Sequence, residues 1–271
     1  MKIQKLNNVL TEDKSVNFDG QEYPKFGWCV IVCGGSGSGK SSVIKNLVHI
    51  QAKTLDVDEV KKTVLNKSEI NGDKLVLKNG KEYSLDGINE PYDMSNPEYT
   101  AYIHKITKPI ARSKKSTFLA SLENADPGRL PNVMFDITGA EIEDFDYIIH
   151  TLKPLGYKIA VVWVLAGLGT ALYRNSKRDR VVPESIVIEK YFNVLGTISK
   201  IFGDKSFLNS VDDVWVVLND AEFNSKDRDS VYDYNRLPNV YHVKSKEDVL
   251  KLPNRIASAV KRARKEVIKY S

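Results

Sequence analysis

The chain has 271 residues, a formal net charge of +5, and hydrophobic residues at 42% of its positions. This length allows one large α/β domain with insertions, and the composition is ordinary for a globular protein. No apolar run approaches the roughly 20 residues of a membrane span, and the first residues lack the apolar core of a signal peptide, so we expect a cytoplasmic protein. The modest positive charge suits a protein that handles phosphates and does not require nucleic acid.

The cysteines and histidines do not indicate a metal or redox site of their own. Cys29 and Cys33 lie on one expected strand, where their Cα atoms would be about 13 Å apart, too far for a disulfide. We expect both to be small core residues. The four histidines, at positions 49, 104, 150 and 242, form no ligand cluster with them.

A glycine-rich loop between an expected strand and an expected helix is the most informative segment. The strand is the apolar run 28–33, residues 34–41 read G-G-S-G-S-G-K-S, and residues 42–50 have helical periodicity. This is the phosphate-binding pattern G-x-x-x-x-G-K-[ST] in its required context. A flexible glycine and serine turn is the alternative, and the flanking strand and helix argue against it.

Each residue type in this loop suits a polyphosphate. The glycines let backbone N–H groups approach the anion, Lys40 supplies a charge for the β- and γ-phosphates, and Ser41 supplies a hydroxyl ligand for Mg²⁺. The helix that opens there adds its positive dipole end. The residues expected to bind the nucleotide are Gly34, Gly35, Ser36, Gly37, Ser38, Gly39, Lys40, Ser41 and Ser42, together with Arg178 from a segment described below.

Five parallel strands are predicted in chain order. After 28–33 they are 52–58, 132–136, 158–165 and 213–218, and they alternate with helical stretches. This order indicates an α/β fold with a parallel sheet covered by helices on both faces. Ahead of the first strand, Asp19-Gly20 predicts the turn of a small hairpin.

Carboxylates follow two of these strands. Asp136 ends the third, from which it can reach Mg²⁺ near Ser41. The next residue is Ile137 and not the Glu with which many ATP-hydrolysing motors activate water, which favours transfer to a bound acceptor over hydrolysis. A plain strand-end cap is the alternative for Asp136.

Asp56 and Asp58 end the second strand. In an open parallel sheet, ligands bind at the carboxyl ends of the strands, where these two acids are expected. One of these acids can accept the proton of an acceptor hydroxyl while the phosphoryl group transfers in line. For Asp58, capping the next helix is the alternative, and the two roles are compatible.

A basic segment, residues 172–183, lies between the fourth and fifth strands. It contains Arg174 and Arg178 one helical turn apart and Arg180 just beyond. Arginines on a mobile lid can fold over a transferring phosphate and neutralise its charge. A solvated basic loop is the alternative. An amphipathic helix follows, with Val187, Tyr191, Leu195 and Ile198 expected on its inner face.

In combination, these segments resemble the zeta-toxin-like and polynucleotide-kinase-like branch of P-loop kinases. The resemblance is carried by residues 34–41, by L-D-V-D-E-V-K at 55–61, by F-D-I-T-G-A at 135–140 and by R-N-x-x-R-D-R-x-V-P at 174–183. It covers the chain from about residue 28 to 218. It implies the P-loop NTPase fold, with ATP as donor and Mg²⁺ bound by Ser41 and Asp136.

The resemblance also implies roles for individual residues. Asp58 falls on the general base, Lys61 on a basic residue that contacts the acceptor, Thr138 on a residue lining the acceptor site, and Arg174 and Arg180 on the lid arginines. The family often has Arg at the position of Lys61, and zeta toxins have Glu where this chain has Asp136. These departures bear on the acceptor and not on the donor.

Residues 62–131 form an insertion too long for a bare connection, and we expect it to shape the acceptor side. It contains a predicted hairpin over 75–85 that turns at Asn79-Gly80, and then a helix capped near Asn96-Pro97. Pro109 is expected to kink or break that helix. Its tyrosines either stack on a base or fill a core, and they are Tyr83, Tyr92, Tyr99 and Tyr102.

We therefore predict, over residues 1–271, a single-domain ATP- and Mg²⁺-dependent kinase. Its acceptor is a hydroxyl of a nucleotide-sugar, a nucleoside or a polynucleotide 5′-end. The alternative is a nucleotide-dependent module that binds nucleic acid or a protein with little turnover. In that case the basic C-terminal helix predicted over 246–271 grips the partner, whereas a helix docked by its apolar face is the other interpretation of that segment.

Overall fold

The computed structural model describes residues 16–21, 23–56, 63, 69–71, 74–78, 80–84, 97–178, 180–219, 239–243 and 247–248. The strands are β1 (Trp28–Cys33), β2 (Lys53–Asp56), β3 (Glu69–Asn71), β4 (Lys74–Val76), β5 (Glu82–Ser84), β6 (Val133–Ile137), β7 (Lys158–Leu165), β8 (Asp213–Leu218) and β9 (Asn239–His242). The α-helices are α1 (Lys40–Leu47), α2 (Pro97–Leu122), α3 (Ile142–Leu152), α4 (Leu168–Ser176), α5 (Glu184–Gly203) and α6 (Lys205–Ser210).

The main sheet has the strand order β2-β6-β1-β7-β8-β9. Its first five strands pair in parallel, which confirms the five predicted strands. The sheet is not five-stranded, however, because β9 pairs antiparallel with β8 at one edge. β1 lies between β6 and β7, so the loops that follow these three strands meet at the carboxyl edge of the sheet.

Each face of the sheet is covered by helices, as predicted. In β1, Val30 and Val32 pack in one core with Val43 and Leu47 of α1. The alternate residues of β1 point to the other core, which contains buried side chains of α2, α3 and α5. Cys29 and Cys33 belong to this second core and are buried, as expected of small core residues.

The amino-terminal turn and the insertion follow the sequence prediction with two corrections. Asp19 and Gly20 form the turn, with Phe18 and Gln21 paired across it. In the insertion, β4 and β5 form the predicted hairpin, with Gly80 at φ 79°. The first correction is β3, a third strand that was not predicted because it has three residues and no apolar alternation.

The second correction concerns α2, which does not end at Pro109. Its buried face continues on both sides of the proline, with Ile103 and Thr107 before it and Ala111 and Leu119 after it. A proline inside a helix costs about 3 kcal/mol. Burial of this continuous face offsets that cost. The predicted break is therefore wrong, and the predicted kink stays a prediction.

Two expectations fall on other parts of the chain. Of the helix predicted over 246–271, only Glu247 and Asp248 are among the described residues. Within the described residues, no helix combines the length and apolarity needed to cross a membrane.

Candidate active site

The glycine-rich loop follows β1 and is held against two other elements. Gly37 has φ 77°, and a Cβ there would clash with the backbone carbonyl of Ala171 in α4. Gly39 has φ 87° and precedes α1, and a Cβ there would clash with the side-chain amide of Asn219, just after β8. The left-handed conformation favours glycine at both positions, and at Gly37 the fixed backbone of Ala171 also leaves no space for a side chain.

Lys40 lies between the loop backbone and the carboxylate at the end of β6. Its Nζ donates to the Gly34 carbonyl oxygen at 2.7 Å and lies 3.8 Å from Asp136 Oδ1. The two side chains are 18% and 15% exposed, so most of each is withdrawn from water while one side stays accessible. The expected lysine and carboxylate therefore meet at the carboxyl edge of β1 and β6.

A second carboxylate lies beside Asp136. Asp56, the last residue of β2, is the register partner of Asp136 in the parallel pair β2 and β6. Asp58 follows two residues later and, like Lys61, lies outside the described residues. Their predicted roles as base and acceptor contact remain predictions.

The site also perturbs the thiol beneath it. Burial raises the pKa of Cys33 well above its ordinary value, with a smaller opposing effect from Lys40 and a further increase from Asp136. Cys33 Sγ is 3.5 Å from the Val162 carbonyl oxygen, in the core under the loop. A thiol in this environment stays protonated and does not act as a nucleophile.

Arg174 of α4 also contacts the glycine-rich loop. Its Nη1 donates to the Asn219 carbonyl oxygen at 3.0 Å and lies 3.5 Å from the Gly37 carbonyl oxygen. Asn219 Nδ2 donates to the Ser38 carbonyl oxygen at 2.9 Å. Asn219 thus joins the end of β8, the loop and the arginine.

The lid arginines do not share one helical segment. α4 ends at Ser176, so Arg174 lies on the helix and Arg178 lies beyond it. Asn175 is 1% exposed, and its amide donates to the Val182 carbonyl oxygen at 2.7 Å and accepts from the Val182 N–H at 3.1 Å. This pair of bonds closes the segment that carries Arg178 and Arg180 into a loop. The spacing of Arg174 and Arg178 suggested one turn of helix, and this closure explains why the helix stops.

Thr138 lies on the exposed loop that follows β6. Its carbonyl oxygen accepts from the Gly34 N–H at 3.0 Å, and Thr197 Oγ1 of α5 donates to the Ala140 carbonyl oxygen at 2.9 Å. The loop is thereby fixed to both the glycine-rich loop and α5. Thr138 therefore stands at the same edge as Lys40 and Asp136, with an accessible side chain.

A small cleft adjoins the glycine-rich loop. Its lining consists of Gly35, Ser36, Ser38, Val164, Leu165, Ala166, Ala171, Tyr191, Val194 and Leu195. Ser38 is 4% exposed, and its Oγ has no hydrogen-bond partner among the described residues. On the inner face predicted for α5, Val187, Leu195 and Ile198 are buried and Tyr191 is half-buried.

These observations fit a nucleotide phosphate. The loop has glycines where side chains would not fit, a lysine at its end, and an orphaned buried hydroxyl at Ser38. Ser41 and Ser42 are exposed at the start of α1, where a hydroxyl ligand for Mg²⁺ would be placed. Among the described residues, no group of three or more His, Cys, Asp or Glu side chains is arranged to hold a metal ion.

A family model described as an AAA domain matches residues 29–191, more than half of the chain. The chain belongs to the AAA domain family. The predicted fold class is confirmed, since this AAA domain has the α/β P-loop NTPase fold with a mostly parallel sheet. That fold binds a nucleotide at the loop described above.

Several solved structures resemble this AAA domain at low identity. The AvrRxo1-ORF1:-ORF2 complex with ATP shares 13% identity, with 72% of this chain and 55% of that chain covered and a TM-score of 0.47. The PezAT toxin-antitoxin system of Streptococcus pneumoniae shares 13% identity, with 92% of this chain and 90% of that chain covered and a TM-score of 0.44. Deoxyadenosine kinase from M. mycoides with bound dATP shares 18% identity, with 73% of this chain and 93% of that chain covered and a TM-score of 0.30. A search of the curated proteins gave no match.

Two positioning residues of the site escaped prediction. Asn219 was detectable in principle, because it is a polar residue directly after a buried strand at the carboxyl edge. Its contact with the loop requires β8 to lie two strands from β1 in the sheet. The order of the strands along the chain does not predict that position. Asn175 stands inside a motif recognised at 174–183, but its bonds to Val182 have no sequence signature.

Proposed function

We propose that the protein is a kinase that transfers the γ-phosphoryl group of ATP to a hydroxyl of a nucleotide-sugar, a nucleoside or a polynucleotide 5′-end. The observation that carries this proposal is the arrangement of Lys40 between the Gly34 carbonyl and Asp136, followed by Ile137. Ile137 is 8% exposed and apolar, so the strand that supplies the carboxylate offers no neighbouring base to activate water. In this proposal a bound hydroxyl, and not water, receives the phosphoryl group.

The loop residues hold the donor. Lys40 and the loop N–H groups bind the β- and γ-phosphates, and the dipole of α1 favours the same anion. Ser41 and Asp136 would hold Mg²⁺, which when bound neutralises developing negative charge on the phosphate oxygens. Asn219 keeps the loop in place through Ser38.

The acceptor is activated by a carboxylate of the D-x-D segment, residues 56–58. Asp58 takes the proton of the hydroxyl as the acceptor oxygen forms its bond to the γ-phosphorus. The bond from that phosphorus to the bridging oxygen breaks, and ADP leaves with the electron pair. Asp56 is the competing candidate for this base, since it lies beside Asp136.

Arginines stabilise the transferring group. Arg174 is already positioned at the loop by the Asn219 carbonyl, and Arg180 lies on the loop closed by Asn175 and Val182. Arginine is suited to this role because its planar guanidinium spans two phosphate oxygens. Lys61 and Thr138 complete the acceptor side.

The test is transfer of the γ-phosphoryl label to an acceptor panel by the wild type and by two matched variants, Asp58→Asn and Asp56→Asn. We expect Asp58→Asn to lower transfer by about 10²- to 10⁴-fold and Asp56→Asn to lower it by less than about 10-fold. The reverse order would assign the base to Asp56. If the wild type binds ATP and labels no acceptor, the kinase proposal fails and the binding module of little turnover is favoured.

A further inference from the structure

The insertion carries a basic surface that the phosphoryl-transfer site does not use. The described helix α2 has five Lys or Arg residues and a single acid, Glu98, at its start. Lys105, Lys108 and Arg112 are exposed. At about 100° per residue, these three side chains fall within an arc of about 60°. We call them the α2 basic stripe.

The stripe lies on a different face from the one that α2 buries. Ile103, Thr107 and Ala111 form the buried face in the same turns, each 5% exposed or less. Within the described residues, none of the three stripe residues makes an ion pair or a side-chain hydrogen bond. By contrast, Lys115 is paired with Asp144 at 3.0 Å. The stripe therefore presents charge that no described carboxylate cancels.

The contacts of α2 place the stripe toward the carboxyl edge of the main sheet. Phe118 packs edge-on against Phe135, the middle residue of β6, and Lys115 bonds Asp144 in the first turn of α3, which follows β6. Lys53, the first residue of β2, lies over the Phe118 ring, so the chain of α2 after Lys115 leads toward the amino edge. Residues before Lys115 therefore lead the other way, toward the carboxyl edge, by about 1.5 Å per residue. On this geometry the stripe lies on the same side of the sheet as Asp136 and Thr138, and not on the side of the amino edge.

We infer that the α2 basic stripe binds the phosphate backbone of a single-stranded polynucleotide. Successive stripe residues are about 4.5 and 6 Å apart along the helix axis, so their long side chains can each reach a different phosphate of one strand. Backbone binding requires only positive charge in a row. This strand then offers its 5′-hydroxyl to Asp58, a step that rests on the proposed function, whereas the binding itself does not.

Two other anionic partners fit the stripe less well. A helix that lies on an anionic membrane combines basic residues with exposed apolar ones, and no large exposed apolar side chain is found among the described side chains of α2. A protein partner is anchored by aromatic and apolar groups packed into pockets, which the three flexible cations do not provide. The stripe offers a partner only positive charge, and the phosphates of a polynucleotide backbone require nothing more.

The test is binding of a 20-nucleotide single strand with a free 5′-hydroxyl and a 3′-fluorophore, measured by anisotropy at several salt concentrations without ATP. The stripe variant is K105Q/K108Q/R112Q, and the matched control, K25Q/K200Q/K205Q, removes three charges from exposed positions outside α2. A plot of log K against log salt has a negative slope, and we expect the stripe variant to make it shallower by about 2. Near 0.1 M salt, we expect the stripe variant to bind about 30- to 100-fold more weakly than the wild type. The control should stay within about 3-fold of the wild type.

Three results would overturn the inference. They are absence of strand binding by the wild type, equal weakening in the two variants, and equally effective competition by a 20-residue polyglutamate, which would point to an acidic protein. Failure of the kinase proposal is seen separately. Stripe-dependent binding with no labelling of any acceptor removes the kinase and keeps the stripe, whereas labelling of nucleosides without strand binding removes only the stripe.

Discussion

The amino and carboxyl edges of the main sheet both carry charged side chains. The cations at the amino edge bind carboxylates, whereas those at the carboxyl edge bind mainly backbone carbonyls. At the amino edge, Lys158 pairs with Asp19 at 2.8 Å, and Lys153 pairs with Asp212 at 2.7 Å. These pairs join segments distant in sequence and cancel charge locally. The pKa of Lys158 is raised, first by its hydrogen bond to Asp19, which is the behaviour of a cation held by its partner.

At the carboxyl edge, cations are oriented mainly by backbone carbonyls. Lys40 donates to Gly34 and Arg174 donates to Asn219, and both acceptors are neutral oxygens. A carbonyl contact fixes the direction of a cation without cancelling its charge. Lys40 also lies 3.8 Å from Asp136 Oδ1, so its charge is shared between that carboxylate and the space where an anion would bind. Charge that is merely paired supports the fold, whereas charge that is positioned by glycine-rich backbone serves a ligand.

The largest effect expected from breaking this contrast is that of Lys40→Met. Removing the only lysine of the loop should lower phosphoryl transfer by at least about 10²- to 10³-fold, because the positioned charge is lost from the transferring phosphate. The midpoint of urea unfolding should change little. Steady-state transfer and urea titration together check this, and a variant that retains more than a tenth of wild-type transfer would contradict it.

Gly37→Ala tests whether the glycine backbone is required for the ligand. The alanine would clash with the Ala171 carbonyl and move the loop, so we expect nucleotide affinity to fall by at least about 10-fold. Gly27→Ala is the control, because Gly27 has φ 79° and no atom near its missing Cβ. It should lose only about 1 kcal/mol of stability from backbone strain. Calorimetric titration of nucleotide into both variants makes the measurement, and equal affinities would refute a role for the contact.

The amino edge should respond in stability and not in ligand binding. Asp213 is 3% exposed and accepts from the Asp19 N–H at 3.1 Å, and its Oδ1 is 2.8 Å from His242 Nε2. Asp213→Asn should therefore lower the free energy of unfolding by about 1–3 kcal/mol while nucleotide affinity stays unchanged. Asp212→Asn, at a more exposed neighbour, should cost less. A loss of affinity in Asp213→Asn without a loss of stability would invert the comparison.

The effect that is seen only at high pH concerns the two core thiols. Burial raises the pKa of Cys29 and Cys33, so folding keeps protons that the unfolded thiols release above about pH 8.5. Their contribution to stability is complete below that pH and is lost as pH rises, by up to about 1.4 kcal/mol per pH unit for each thiol. Urea titrations from pH 7 to 10 measure the fall. Rapid labelling of either thiol by a disulfide reagent in the native protein would show that the site does not bury it.

The sequence allowed prediction of the features whose cause is local. The apolar run of β1, the glycines and Lys40 each state their own requirement, so the loop and the five parallel strands followed from the chain. β9 has only Val240 and Tyr241 as a core signal, and it exists because the edge of β8 pairs it. Asn219 is another such case, since its contact depends on the order of strands in space.

Longer elements can also override a local signal. Pro109 suggested an interruption, and a buried face on both sides of it kept α2 continuous. Arg174 and Arg178 have the spacing of one helical turn, and the bonds of Asn175 to Val182 end the helix between them. In both cases tertiary contacts, which act between residues that the sequence pattern does not connect, decided the outcome.

The central claim is that the carboxyl edge transfers a phosphoryl group and does not merely hold a nucleotide. The most direct measurement follows the γ-phosphate label of ATP in a single turnover, with the protein in excess and one accepted hydroxyl substrate present. We predict that most of the label appears on the acceptor and that omission of the acceptor slows its loss from ATP. Label that appears only as free phosphate, at a rate independent of the acceptor, would contradict the account.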